Sequence, residues 1–565
     1  MGRMTGKMKK ARLPVLAVAL LLVLSSLVAC AAPSPSASTA PSEAAPAATP
    51  SVEASASGDV TQPATKGDPV PLTIGLAQDT NIVDYATNAY TKNLEAGANV
   101  KLSFELYPGK EASQKLSVLI SSNSKLPDVI NMNLTSIEVY TYGSQGAFIP
   151  LNEYFDKLSN YSKAVDPKYV KYYTSADGNI YGMPRIVEEV GNDWSSRMWI
   201  NKTWLEKLGL SMPKTTDEYY NALKAFKTQD PNGNGKADEI PLIGSNNGWN
   251  STIWPTLMNA FIYSNKDFHY ITAGDDGKLD IAINKPEWKQ GLEYMNKLCA
   301  EGLLSPETWT QDNNQLKTII ENADAQIVGS LMLGSMSIYQ VESKRKEDMT
   351  HLPPLTGPNG VCWSTLNAAA VPALNGFITK DCKTPEAAFQ MFDYMYNPDM
   401  VMQGRFGVKD TDWKEPTPGQ GVGLYEKLGY KPVLEYIKQI WGTQQNSHWS
   451  EVHPTNRTYA ISGGQLWNNN PYDSQYMTSL AVPDYMGKAP KNTVLTLIFT
   501  PEEVDQIADI QTAIDTYRDQ MTVGFITGSK PLTDWDAYVA ELDKMGLQTY
   551  LKVCQQAYDR MQSAK

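Results

Sequence analysis

Residues 230–239 place oxygen donors at a spacing that suits a hard cation: Asp230-Pro231-Asn232-Gly233-Asn234-Gly235-Lys236-Ala237-Asp238-Glu239. Asp230, Asn232 and Asn234 stand at loop positions one, three and five. Gly235 takes the turn at six, Lys236 offers its carbonyl at seven, and Asp238 and Glu239 follow at nine and ten. Calcium takes six to eight oxygens, which alternating side chains on a curled backbone supply. Three carboxylates more than neutralise its charge. Position twelve is Pro241, so the bidentate glutamate of an EF-hand loop is missing and Glu239 is the candidate substitute. The alternative is a polar Asn-Gly turn without metal. The expectation is a structural calcium that staples a long loop and performs no chemistry.

Cys30 is the second chemically informative residue. Arg3, Lys7, Lys9, Lys10 and Arg12 precede an apolar run from Leu13 to Leu24, and Leu27-Val28-Ala29 lead into the cysteine. A basic head, an apolar stretch too short to span and small residues at the cut make an export signal over 1–29. A cysteine directly after the cut is similar to the bacterial lipobox, in which the thiol receives a diacylglyceryl group and the new N-terminus carries further acyl chains such as palmitate. Residues 30–66 then form an Ala/Ser/Pro tether with almost no large apolar side chains, which stays disordered. Extended at about 3.1 Å per residue, it lets the body stand up to ~100 Å from the lipid. The expected location is the extracellular face of a cell membrane, in a Gram-positive host, with the lipid as anchor.

The elements that would position a site begin at Val70. Val70–Leu76, the alternating Val100, Leu102, Phe104 and Leu106, and Leu126–Ile130 read as strands; helical patterns lie between them. Strand, helix, strand describes a parallel α/β lobe whose ligand gathers beyond the carboxyl ends of strands, which points to Gln78, Asp79 and Asn131. Thr215 with Glu218, Thr384-Pro385-Glu386 and Thr500-Pro501-Glu502-Glu503 are helix starts. The second lobe reads as mostly helical with a smaller sheet. Tyr and Trp number 30 and 13 against 12 Phe, and such amphipathic rings suit sugars, with C–H faces to stack on and hydroxyl rims to bond. Trp194, Trp249, Trp363, Trp449 and Trp467 lie in Gly/Asn/Ser-rich surroundings, with Asn247 beside Trp249. These residues are the candidate ligand contacts. Trp204, Trp288 and Trp535 fall in helical patterns and read as core.

Totals narrow the function. About 500 residues beyond the tether are too many for one core. The formal charge of −12 falls to about −17 once a leader with five basic and no acidic residues is removed. That argues against nucleic acid as a partner and against adhesion to anionic lipid. No H-E-x-x-H, G-x-S-x-G or Walker pattern occurs. No motif singles out a carboxylate pair for glycoside cleavage, and the chain is read as a binding protein rather than an enzyme. His448 and His453 flank Trp449 at a spacing that is not a standard metal pair. Cys299, Cys362, Cys382 and Cys554 allow three pairings, and unpaired thiols are the preferred reading.

Seven short blocks, in order, carry a resemblance. They are Lys125-Leu126-Pro127-Asp128-Val129, Gly146–Leu151, Asp177–Pro184, Trp204–Leu210 running through Pro213–Thr216 into the cation loop, Phe525–Gly528, Trp535–Tyr538 and Ala557–Arg560. The chain resembles the bacterial extracellular solute-binding proteins of family 1, the lipoproteins of ABC sugar importers, and is similar to their alginate-oligosaccharide-binding subgroup. The resemblance implies an α/β, two-lobe periplasmic-binding-protein-like fold of type II. Hinge crossovers would join the lobes, and the second would be largely helical. Residues 67–185 and 325–400 are expected in the N-terminal lobe, 186–324 and 401–565 in the C-terminal lobe. It further implies a structural calcium on Asp230, Asn232, Asn234, Lys236, Asp238 and Glu239. A monomer would capture an oligosaccharide between the lobes for the transmembrane subunits of an ABC permease. Asn201-Lys202-Thr203 departs from the basic-basic-acidic run of relatives, so ligand identity does not carry over. The rival readings are a surface-anchored carbohydrate-active enzyme, a binder of peptide or another polar solute, and a sensor subunit for a receptor kinase.

Overall fold

Two sheets, each with its own apolar core, organise the chain in the computed structural model. It describes residues 67–563 apart from 247, 341, 368–370, 420, 439 and 442. Cys30, the 1–29 leader and the 30–66 tether lie outside the described residues. The first sheet has six strands in the order 455–457, 183–187, 373–378, 129–134, 70–77 and 100–107. Val70–Ala77 pairs in parallel with both Val100–Tyr107 and Val129–Leu134, and Ala373–Ile378 runs antiparallel to its two neighbours. The expected alternation of 100–107 holds through Phe104 and then slips, because Leu106 is 38% exposed while Tyr107 is buried. The helix between the first two strands begins at Ala89, where the Asn88 side chain accepts from Tyr90 N–H.

The second sheet has four strands in the order 349–352, 198–201, 328–332 and 240–243. Long helices cover it: Pro286–Ala300, Pro501–Thr527 and Leu547–Ser563 pack with one another around Trp288, Phe525 and Tyr538. Thr500 caps its 27-residue helix through the expected reciprocal bonds with Glu503, and Thr215 accepts from Glu218 N–H. Trp204, Trp288 and Trp535 are core residues, as their helical spacing requires.

Strand membership places the passages between the sheets. The chain leaves the first sheet after Val187, returns between Leu352 and Ala373, and leaves again after Arg457 for the helix Ser474–Tyr485. That helix is fastened to the second sheet through Tyr485, whose hydroxyl receives Met198 N–H at 3.0 Å and donates to the Leu352 carbonyl at 2.5 Å. Val328–Met332 and Met349–Leu352 therefore sit in the second sheet, although 325–400 was expected with the first. Thr455–Arg457 sits in the first, although 401–565 was expected with the second. Those strands find their sheet by long-range pairing that no local pattern encodes. The four body cysteines are free thiols. Among the described residues no helix is long and apolar enough to cross a membrane.

Candidate ligand cleft and cation loop

A cleft of about 460 Å³ opens between the two sheets. On the first-sheet side Arg185, Val187 and Arg457 come from the carboxyl ends of two parallel strands, where α/β ligands gather. Trp249, Ser335 and Ser337 face them from the second lobe, with Gln475 and Thr478 from the helix after the last crossing. Trp249 is 54% exposed. Its indole lies flat on Gly334, where any Cβ would meet the ring at 2.5 Å, and Gly334 N–H donates to the Trp249 carbonyl at 3.1 Å. Only glycine leaves room for that platform.

Charge is concentrated on the opposite wall. Ser450 and Glu451 both take left-handed backbone (φ 53° and 56°), which turns the Glu451 side chain inward between two arginines. Arg457 donates to it at 2.7 Å and reaches Glu189 at 3.2 Å; Arg185 pairs with it at 3.3 Å. Burial alone would raise the Glu451 carboxyl. The guanidiniums of Arg457, Arg185 and Arg405 overcome it and hold the group at about 2. Arg405 lies 4.1 Å over the Trp441 ring, and Trp441 stacks in turn on His448 at 4.9 Å. Arg197 is fully buried and donates to the carbonyls of Gly191, Trp194 and Gly334, tying the first crossover to the second lobe.

Of the ligand contacts expected from sequence, Trp249 lines this cleft. Trp449 does not: it is 0% exposed, packs against Tyr90 and Phe104 and donates to Thr91, so it is a core residue. Trp194 is buried behind the crossover with Val190 and Tyr425. Trp363 lines a separate small cavity with Tyr485 and Leu355. Trp467 stacks on Tyr476 at 4.1 Å and donates to the Asn470 carbonyl, a fixed surface pair outside the cleft lining. Asn131 is buried within the first sheet. Asp79 accepts from Ser450 Oγ at 2.5 Å and so braces the Glu451 turn, while Gln78 is exposed and is not among the residues lining the cleft. Asn247 lies outside the described residues. Sequence alone did not place Arg185, Arg197 or Arg405, and it passed over Arg457 and Trp441. Trp441 precedes Gly442-Thr443-Gln444-Gln445-Asn446, the same polar surroundings that singled out the other tryptophans.

The 230–239 loop is curled as a cation loop requires. Asp230, itself at φ 45°, accepts from the N–H groups of Gly233, Asn234 and Gly235 at 3.0–3.1 Å. Asn232 and Asn234 donate their amides to Asp238, and Gly233 and Gly235 supply the positive φ of the turns. Glu239 Oε1 is buried without a partner, and burial, with Asp230 and Asp238 nearby, raises its carboxyl. A cation among these oxygens would relieve both features, so the residues fit calcium. Counting only His, Cys, Asp and Glu side chains, no group of three among the described residues is gathered for a metal; this loop depends on amide and carbonyl oxygens as well.

Two lobes with an open cleft at three crossovers define a protein of the binding-protein class. The model of the bacterial extracellular solute-binding proteins matches residues 76–402, and the chain belongs to that family. It is 29% identical over 507 residues to the fructooligosaccharide ABC transporter substrate-binding protein FusA of Streptococcus pneumoniae serotype 4, covering 84% of this chain and 87% of the relative. It is 27% identical over 278 residues to lipoprotein LipO of Bacillus subtilis, covering 48% of this chain and 52% of that protein. Among solved structures, S. pneumoniae FusA in complex with kestose matches with a TM-score of 0.64 and 26% identity, over 88% of this chain and all of that one. An EF-hand mutant of FusA with fructo-nystose matches at 0.63, with the same identity and coverage.

Proposed function

We propose that this chain is a lipid-anchored extracellular capture protein that takes an oligosaccharide into the interlobe cleft and presents it to an ABC permease. The observation that carries the reading is the pairing of walls: an exposed indole at Trp249 on one, a guanidinium–indole stack at Arg405 and Trp441 on the other. Flat apolar faces opposed to hydrogen-bond donors match a sugar, which has both. The named ligands of FusA support the class of ligand. The six-stranded sheet would form one lobe and the four-stranded sheet the other, closing about the three crossovers on the ligand. Cys30 would carry the diacylglyceryl and palmitoyl chains, and the name of LipO supports a lipoprotein.

Calcium would be held by Asp230, Asn232, Asn234, the Lys236 carbonyl, Asp238 and Glu239. It would neutralise the loop's carboxylates and fix its turns, away from the cleft; the EF-hand named in FusA supports this. Such a protein returns its ligand unchanged. The test is thermal unfolding of the mature chain with a panel of oligosaccharides, followed by recovery of the sugar. An upward shift with intact sugar recovered supports capture. Cleaved sugar points to a carbohydrate-active enzyme, and no shift with any sugar discards the ligand class. For the anchor, Cys30→Ser should abolish palmitate labelling and release the protein into the medium.

A further inference from the structure

The second lobe has a cavity of its own, of about 190 Å³, that shares no lining residue with the interlobe cleft. Three aromatic residues line it. Trp254 comes from the helix Ile253–Met258, Tyr270 directly precedes the strand Ile271–Ala273, and Trp309 ends the turn Pro306–Trp309. Arg518 and Asp519 reach it from the long helix Pro501–Thr527, and Lys266 lies on its exposed side. Two of the rings carry polar groups with nothing to bond. Tyr270 is 1% exposed, and its hydroxyl is buried without a partner among the described residues. The indole N–H of Trp309 is in the same position. Buried polar groups are paired in the great majority of cases, so two orphans on the lining of one cavity point to a guest.

Core packing accounts for only one side of these rings. Trp254 and Tyr270 meet Trp288 there at 5.6 and 5.2 Å. On the other side the cavity leaves the room of about six waters. Water would satisfy the donors but gains little against indole faces, and a wholly apolar guest would leave the donors unmet. Charge narrows the choice. Arg518 lies over the Tyr270 ring at 4.7 Å and is paired with Asp515 and, at 2.9 Å, with Asp519. A cationic guest would meet Arg518 and Lys266, and an anionic one would meet Asp519. A neutral guest avoids both penalties. The Asp519 side chain is 59% exposed and both Arg518 contacts fall on its Oδ1, which leaves Oδ2 to accept. A hexose fits this set: a C–H face for the indoles, and hydroxyls that accept from Tyr270 and Trp309 and donate to Asp519.

We propose that this cavity is a second carbohydrate site that takes one neutral hexose ring, with Trp254 and Trp309 as its walls. Tyr270 and Trp309 donate to the sugar hydroxyls and Asp519 accepts from them. The test is ligand-observed NMR titration of the mature chain carrying Trp249→Ala, which removes the platform of the cleft. The probes are D-glucose, D-galactose and D-fructose, with indole as an apolar guest of similar size. A hexose should bind saturably, with a dissociation constant on the order of 1 mM for so small a ligand. Adding Trp309→Ala should weaken it about tenfold. Tyr270→Phe should weaken it about threefold, the increment of one neutral hydrogen bond. It should do so without lowering the melting temperature, because the hydroxyl it removes has no partner within the protein. No saturable hexose binding overturns the site. Hexose binding indifferent to both substitutions in folded variants also overturns it, because the sugar then sits elsewhere. Indole binding in place of every hexose overturns the ligand class. None of these outcomes bears on capture in the cleft, which the melting shift with oligosaccharides decides separately.

Discussion

Lowering the pH from 7 to 4 should weaken the first-lobe wall of the cleft, and two buried imidazoles set the size of the effect. His453 and His448 are 0% and 1% exposed, and burial is the main reason both rings stay neutral down to about 4. Their surroundings explain why. Ser450 N–H donates to His448 Nδ1 at 2.9 Å, so a second proton there would face a donor. His453 Nδ1 faces the Pro454 carbonyl at 2.9 Å, and Nε2, where a second proton would go, has no partner. The unfolded chain takes up these protons near 6.5 and the folded chain only near 4. In that window the unfolded state binds more protons, so stability falls as pH falls through it. At 1.36 kcal/mol per decade each ring costs about 3 kcal/mol. Asp193 opposes them: burial lifts its carboxyl from 3.8 to about 7, so acidification restores about 4 kcal/mol. The two rings outweigh it by about 2 kcal/mol at pH 4, and Glu451 adds to the loss only below 4.5. Urea midpoints at fixed ionic strength from pH 4 to 7.5 measure the balance. His453→Gln should flatten the acid limb and Asp193→Asn should steepen it. A midpoint independent of pH between 4 and 6.5 in the Asp193→Asn protein would refute the account.

Three further outcomes follow from other parts of the molecule. Calcium at 100 times its dissociation constant should stabilise the fold by about 2.7 kcal/mol. EDTA should therefore lower the melting temperature by several degrees, and Glu239→Gln should weaken that response; a protein indifferent to EDTA discards the metal. Trp249→Ala should weaken oligosaccharide binding about tenfold or more while moving the melting temperature by only about 1 °C, because the ring is half exposed. Unchanged affinity in calorimetry removes the platform role. Trp449→Ala should cost about 3–5 kcal/mol in urea unfolding, as a large core truncation does. Lost binding without lost stability would return Trp449 to the cleft.

What was legible in the sequence and what was not divides along the range of the interactions. The caps at Thr215 and Thr500 and the first two strands depend on residues a few positions apart, and their patterns announce them; the third, expected over Leu126–Ile130, lies at Val129–Leu134. The cation loop is equally local. Local polarity also pointed to Trp249, which lines the cleft, and to Trp449, which is buried in the core, and the difference has one physical reason. The polar neighbours of Trp449 are themselves buried, because His448 and Glu451 have partners that replace water. Polar surroundings therefore mark exposure only where the polar groups are not neutralising one another.

The charged wall could not have been found by that criterion. Arg185, Arg405 and Arg457 lie far apart in the chain, in segments with no feature to distinguish them from other basic residues. Register brings two of them together: Thr455 pairs beside Arg185, and Arg457 beside Val187, in a parallel ladder. In such a ladder, residues two apart share a face, so Arg185 and Arg457 emerge on the same side, one step apart along the sheet's carboxyl edge. Glu451 then neutralises both from the turn that precedes the strand. A slip of one residue would send Arg457 through to the other face, leaving Glu451 short of its main partner and Glu189 unpaired. The ladder that closes the first sheet thus also sets Arg185 and Arg457 side by side where Glu451 and Glu189 can pair with them at the rim of the cleft.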